Sequence, residues 1–341
     1  DCEPVPYYKD AIRVVGLSET MKNLRRDDYR LLIEKYGKAG GKWLECGSSN
    51  GDFLRVLSEF DADIYGMENS AEGLKETREK LELPEGHLMQ LFPDREDMDI
   101  PGAPFDVFLS FNFLEHQPDP VSMLRCLRRN LADDGIGLIT VPSFEYIIGE
   151  GRYYELIRDH IANYDMNSLT KLCGLCGFEV LEKEFIGIGD TLRVVVRKSS
   201  GVPAFAASAD NAGRSDISVL AEDYRRMSAG ISAYMKRLKL EGRSAALWGA
   251  GHQGFTIAAT TEIKDNVKYI IDSSVKKQGK YAPASHLRIV SPDEYLKDPV
   301  DVIIISAPGY VKEIEKGIRE RYKDAPAGVP AVCSILDLTE K

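Results

Sequence analysis

The run Glu45-Cys46-Gly47-Ser48-Ser49-Asn50-Gly51 sets an acid two places ahead of the first of two glycines that stand four apart. At a turn from strand to helix, Gly47 removes the Cβ that would block the turn, and Gly51 lets a ligand approach the start of the helix. Glu45 is placed to accept a hydrogen bond from, or pair with, an amino-acid group, and Ser49 lines the same loop. Glu68 closes the next strand 17 residues past Gly51, where a carboxylate holds both hydroxyls of a ribose. The spacing is not G-x-G-x-x-G, so the phosphate bridge of a dinucleotide is not the natural ligand. These groups suit a nucleoside that carries an amino acid. Residues 94–97 bring carboxylates and amides to where its base should lie, and Asn112-Phe113-Leu114-Glu115-His116 forms the lip of the pocket.

Alternating strand and helix patterns position these residues. A helix over 18–36 leads into strands at 42–46, 63–67, 88–91, 105–111 and 135–141, with helices at 52–60, 71–81 and 120–131 between them. Late strands at 178–184 and 191–197 close the edge. The pattern predicts an α/β chain: a Rossmann-like doubly wound sheet, followed by a second, smaller Rossmann-like α/β domain. The expected division is 1–200, a linker and long helix over 201–240, and 241–341. Residues 199–211 carry the Ser, Gly, Ala and Pro of a linker, and a helix follows at about 215–240. The second domain reads strand 245–248, helix 253–260, strands 267–271 and 300–306, helix 311–322 and strand 331–336. Its loop Gly249-Ala250-Gly251-His252-Gln253-Gly254 is a literal G-x-G-x-x-G, with Asp272 18 residues beyond. Alone, that pattern predicts a nicotinamide dinucleotide.

A net charge of −10 argues against a nucleic-acid substrate. No apolar run reaches the ~18 residues of a membrane span, and from the opening Asp1-Cys2-Glu3-Pro4, polar and Pro-containing, no signal peptide is expected within this sequence. Six scattered cysteines in a chain of 341 residues fit a reduced, cytoplasmic protein, a monomer or homodimer. Cys173-Gly-Leu-Cys176 lies on an apolar-periodic helix ending at Gly177 and reads as structural rather than metal-binding. His87 reads as a surface group.

Loop, ribose acid and strand order together resemble the S-adenosyl-L-methionine-dependent methyltransferases. Over most of its length the chain is similar to the C-methyltransferases that act on nucleotide-linked 4-keto deoxysugars. The resemblance rests on residues 112–118 with His116, on Asp159-His160, on Gly242-Arg243 through Trp248-Gly249-Ala250, and on Lys277-Gln278-Gly279-Lys280-Tyr281 with His286. It implies a sugar pocket lined by His116, His160, Asp159 and Tyr7, with Tyr8 an equally placed rival. It also turns the second loop toward the substrate, through Gly249, Gly251, His252 and Gln253, rather than toward a dinucleotide. Members usually begin with a cysteine-rich zinc domain. Only Cys2 falls in that region here, so no such domain, and no metal, is expected within this sequence. Where members often read Tyr-x-Glu-His, this chain reads Ile157-Arg158-Asp159-His160, and Gln253 stands where a Lys often follows the Gly-Ala turn.

The implied reaction is methylation of carbon. A proton alpha to a ketone is removed and the enolate attacks the sulfonium methyl. An imidazole, with an unperturbed pKa near ~6.5, suits that abstraction. His160 is the expected base, oriented by Asp159, while His116 and Tyr7 stabilise the enolate oxygen. Two alternatives stand beside it: O- or N-methylation of a sugar or other small metabolite, and a nucleotide-sensing protein with an NAD-type second domain.

Overall fold

The computed structural model describes residues 19–157, 159–199 and 216–338. Tyr7, Tyr8 and Cys2 lie outside them, as does the expected linker beyond residue 199. Two compact units form. The first takes the described residues up to Tyr146 and from 159 to 199; the second takes Ile147–Ile157 and the chain from 216 onward.

In the first unit, helix α1 (Glu19–Tyr36) lays Tyr29 and Leu32 on the sheet. Strand β1 (Lys42–Cys46) is buried along both faces, as the central strand of a parallel sheet must be. Trp43 joins the cluster under α1, and Leu44 and Cys46 join the cluster on the opposite face. Helix α2 (Asp52–Leu57), strand β2 (Asp63–Glu68), helix α3 (Ala71–Lys80), strand β3 (Leu88–Gln90) and strand β4 (Phe105–Phe111) follow. Helix α4 (Pro120–Arg129) starts from an Asp119 cap with Pro at its first position. Strand β5 (Leu131–Pro142) begins four residues earlier than the pattern predicts. Asn130 ends α4 and donates from its side chain to the Met98 and Cys126 carbonyls, releasing Leu131 to pair with Phe105.

Helix α5 (Phe144–Gly149) crosses from one unit to the other. Helix α6 (Met166–Leu175) is closed at its start by a capping box from Asp165 and Ser168. Strands β6 (Phe178–Ile186) and β7 (Thr191–Lys198) complete a seven-stranded sheet of order β3-β2-β1-β4-β5-β7-β6. Only β7 runs antiparallel to its two neighbours. The order reverses between β1 and β4, and ligands in open α/β sheets bind at that point.

The second unit opens with α7 (Ser218–Leu240), which carries Met227, Ile231, Met235 and Leu238 on its buried face. Strand β8 (Ala245–Trp248), helix α8 (His252–Thr260), strand β9 (Val267–Ile271), strand β10 (Ile289–Val290), helix α9 (Glu294–Lys297), strand β11 (Val302–Ile305), helix α10 (Val311–Tyr322) and strand β12 (Ala331–Ser334) follow. The sheet order is β10-β9-β8-β11-β12, every pair parallel. Residues 147–157 are tied in by Tyr153, whose N–H donates to Asp223 and whose hydroxyl meets Thr260 Oγ1 at 2.9 Å. Among the described residues no helix is long and apolar enough to cross a membrane.

Candidate active site

The β1–α2 loop is held open by backbone conformation. Gly47 and Gly51 both have φ of 76°, and a Cβ at either would fall 2.5 Å from a neighbour, the Phe113 ring or Thr77. Ser49 also takes a positive φ of 50°. Glu68 braces the loop: its two oxygens accept from the N–H groups of Ser49 (2.8 Å) and Ser70 (2.7 Å). Burial raises its pKa, offset in part by those N–H groups. The Asn69 N–H donates to the same carboxyl, and the acceptor capacity beyond these three bonds suits a ribose hydroxyl.

Glu45 lies at the end of β1, only 1% exposed, and its Oε2 has no hydrogen-bond partner. Burial pushes its pKa up to about 8, against the opposing pull of Arg25. Arg25 is itself buried on α1. It donates to Asp28 at 2.7 Å, stacks over Phe111 at 3.9 Å, and leaves Nε without a partner. An orphaned acceptor and an orphaned donor of opposite charge fit the ammonium and carboxylate of an amino-acid moiety. Arg25 was missed by motif reading; its signal is a cation on the buried stripe of an amphipathic helix.

The lip beyond β4 turns at Asn112, which has φ of 47°. It is fixed by its N–H to the Thr140 carbonyl and by Thr140 Oγ1 donating to its Oδ1 at 3.0 Å. The next residues coil into a short 3-10 helix, Leu114–His116, that buries Glu115 and His116. His116 Nδ1 lies 2.7 Å from the main-chain carbonyl of Asp159. A carbonyl can only accept, so Nδ1 carries the hydrogen and Nε2 a lone pair. That nitrogen sits 3.9 Å from Glu115 Oε1. The His160 ring meets the His116 ring edge-on at 4.9 Å. Burial depresses the His116 pKa below its ordinary value, with the Asp159 carbonyl opposing. The structure therefore brings together His116, His160 and Asp159. The tautomer makes His116 Nε2 an acceptor, so a neutral His116 cannot donate to an enolate oxygen as the sequence suggested.

In the second unit, Asp272 accepts from the N–H groups of Ala250 and Ser274, both at 2.8 Å. Lys277 Nζ donates to the Ala250 carbonyl at 2.7 Å and Gln278 to the Asp272 carbonyl at 3.0 Å. Asp272, the acid of the dinucleotide-type pattern, braces the loop, as do two residues of the 277–281 run. His252 and Gln253, at the start of α8, both reach Glu155, His252 Nε2 at 2.9 Å. Glu155 lies 97 residues from His252, so no local pattern reveals it.

His87 is not a surface group. Its ring stacks on Tyr65 at 3.9 Å and its Nδ1 meets the Ile64 carbonyl, because the residue enters β3 beside β2. Cys173 and Cys176 are buried free thiols whose pKa values burial pushes up to about 12 and about 11, which keeps them inert.

A methyltransferase-domain family model matches residues 19–183, and the model of the C-methyltransferase C-terminal domain matches residues 194–327. A curated relative, the C-methyltransferase NovU of Streptomyces niveus, is 22% identical over 306 residues, covering 83% of this chain and 70% of the relative. Similar solved structures include the Burkholderia thailandensis 1,6-didemethyltoxoflavin-N1-methyltransferase with bound S-adenosylhomocysteine. It is 17% identical at TM-score 0.42, covering 57% of this chain and 85% of that one. Another is an S-adenosylmethionine-dependent methyltransferase from Aquifex aeolicus, 17% identical at TM-score 0.38, covering 54% and 100%. Strand order, loop and the two matched domains agree: the chain joins a methyltransferase domain to a C-methyltransferase C-terminal domain, and is an enzyme whose methyl donor is S-adenosyl-L-methionine.

Proposed function

We propose that the enzyme methylates a carbon of a nucleotide-linked keto deoxysugar, with His160 as the base. The observation that carries this reading is the His116–His160 pair, assembled from segments 44 residues apart at the lip beyond β4. The C-methyltransferase name of the Streptomyces niveus relative supports carbon as the target. When bound, S-adenosylmethionine supplies an electrophilic methyl and leaves as S-adenosylhomocysteine. Glu45 and Arg25 would hold its amino-acid end, Glu68 its ribose, and Gly47, Ser49, Gly51 and Asn112 the wall between.

His160 then removes a proton from the carbon beside the ketone. The C–H bond breaks, an N–H bond forms, and the electron pair stays on carbon, available to the methyl that the bound donor would supply. His116 offers its Nε2 lone pair to the proton so gained, with the Asp159 carbonyl fixing its ring. Tyr7, with Tyr8 as rival, takes the role of donor to the enolate oxygen. For the nucleotide end, the Gly249–Gln253 loop is the proposed contact, His252 and Gln253 exchanging Glu155 for oxygens of the ligand.

The test is turnover with S-adenosylmethionine and a nucleoside-diphosphate 4-keto deoxysugar, the product assigned by NMR. A new C–CH3 group is expected. An O- or N-methyl product would instead establish the alternative. His160→Ala should lower kcat by about 10²–10⁴-fold and leave calorimetric affinity for the cofactor unchanged; equal loss of both would make His160 structural.

A further inference from the structure

Glu115 is the buried acid of this region that the scheme above does not use. It is 2% exposed, and its Oε2 has no hydrogen-bond partner. One donor atom each from Glu115, His116 and His160 lie within 4.8 Å of one another. Its main chain is pinned as well, since the Ala162 N–H donates to the Glu115 carbonyl at 3.2 Å. A carboxyl oxygen buried without a partner costs about 1–3 kcal/mol, and more if charged. Leu114, its neighbour in the chain, is buried in the apolar cluster; Glu115 itself contributes no packing that a leucine would not supply better. The group sits beside two imidazoles instead.

We propose that Glu115 is a positioning residue for proton abstraction: its carboxylate faces the His116–His160 pair and receives the proton that His160 takes from the substrate. This rests on the reading of His160 as base. The transfer balances. After the substrate C–H bond breaks, the new imidazolium N–H bond breaks in turn and an O–H bond forms on Glu115, returning both imidazoles to neutrality. The proton passes to solvent before the next turnover. The 3.9 Å gap between His116 Nε2 and Glu115 Oε1 is long for a hydrogen bond, but such contacts tighten when substrate binds. This carboxyl also supplies what the His160 segment lacks, where the acid beside the base is the shorter Asp159.

The titratable groups facing Glu115 are His116 on its own turn and His160 and Tyr164 from the segment ahead of α6, with Asp159 acting on His116. Burial pushes the Glu115 pKa up to about 8, so the carboxylate needed as acceptor forms as pH rises through that value. kcat should therefore climb to a plateau above about pH 8. Glu115→Gln, which keeps the shape of the protonated acid, should lower kcat by about 10²-fold, abolish that limb and leave cofactor affinity intact. Glu115→Asp should recover part of the rate and the limb.

A second readout needs no substrate. In the native enzyme the His116 imidazole resonances should show a step near pH 8, reporting ionisation of Glu115, and Glu115→Gln should lack it. Native kcat and pH profile in Glu115→Gln would overturn the proposal, as would a His116 titration that the substitution leaves unchanged. So would stoichiometric Zn²⁺ binding that depends on Glu115, which would make the three groups a metal cluster. Absence of methyl transfer by the native enzyme to the keto sugar would sink the substrate reading while leaving the resonance step to judge Glu115.

Discussion

Glu45 and Arg25 are a buried acid and a buried guanidinium inside the first unit, and each keeps one atom without a partner. Such orphans lower the stability of a folded chain, so their persistence at the switch point of the sheet has a binding rationale. The ammonium and carboxylate of the donor would satisfy both. Glu68→Ala is a poor probe, because it removes the loop's brace together with the ribose contact. Glu45→Gln is cleaner: it keeps the shape and removes a charge-assisted bond of about 1.5–3 kcal/mol, or about 10- to 100-fold in Kd. Arg25→Lys, which lacks an Nε in that position, should weaken binding in the same direction. Calorimetry with S-adenosylmethionine measures both, and unchanged affinity in the two variants would put the amino-acid end elsewhere.

At the scale of elements, the two units repeat one construction. An acid at the end of the second strand accepts from a loop N–H and from the N–H two residues beyond itself: Glu68 from Ser49 and Ser70, Asp272 from Ala250 and Ser274. Strand–glycine loop–helix patterns are local, so sequence alone revealed nearly every strand and the donor loop. It did not reveal β10, two residues long, or α9, four residues long, which are too short to show a period. Nor could it reveal the Glu155 contact to His252, the burial of Glu115 or the pairing of Arg25 with Asp28, which arise from packing. The glycines of the second loop differ in what they are needed for. A Cβ on Gly254 would fall 2.3 Å from the Gly249 carbonyl oxygen, whereas one on Gly251 would meet nothing within 4 Å. Gly254→Ala should therefore destabilise the protein by about 1–3 kcal/mol and Gly251→Ala should leave the melting midpoint unmoved. If the loop contacts the nucleotide end of the acceptor, Gly251→Ala should raise the acceptor KM without changing donor affinity. An unchanged KM would assign the loop a purely structural role.

For the whole molecule, the buried carboxyl groups set the dependence of stability on pH. Glu45 and Glu115 are both pushed up to about 8 by burial, and Asp28 and Glu68 are raised by the same cause; all four lie in the first unit. A raised carboxyl pKa means that the folded state holds a proton the unfolded state has released. The resulting stability is complete below the unfolded value near ~4.5 and is lost as pH rises through about 8. His116 works oppositely: its depressed value favours the neutral folded form, so stability is lost as pH falls below ~6.5. Asp301 in the second unit is lowered by its hydrogen bonds from Ser244 and matters only at acid pH. Between pH 6.5 and 9 the two glutamates dominate, and the ligand-free protein should melt lower at pH 9. A loss of about 1–2 kcal/mol moves a domain of this size by about 4 °C, and the expected drop is at least that. Glu45→Gln and Glu115→Gln should each flatten the decline and together remove most of it, since glutamine stays neutral throughout. Scanning calorimetry of the native chain and the three variants decides the matter. A native midpoint that stays level across that range would show that both carboxyl groups find partners when ionised, removing the pH limb expected for Glu115 in turnover.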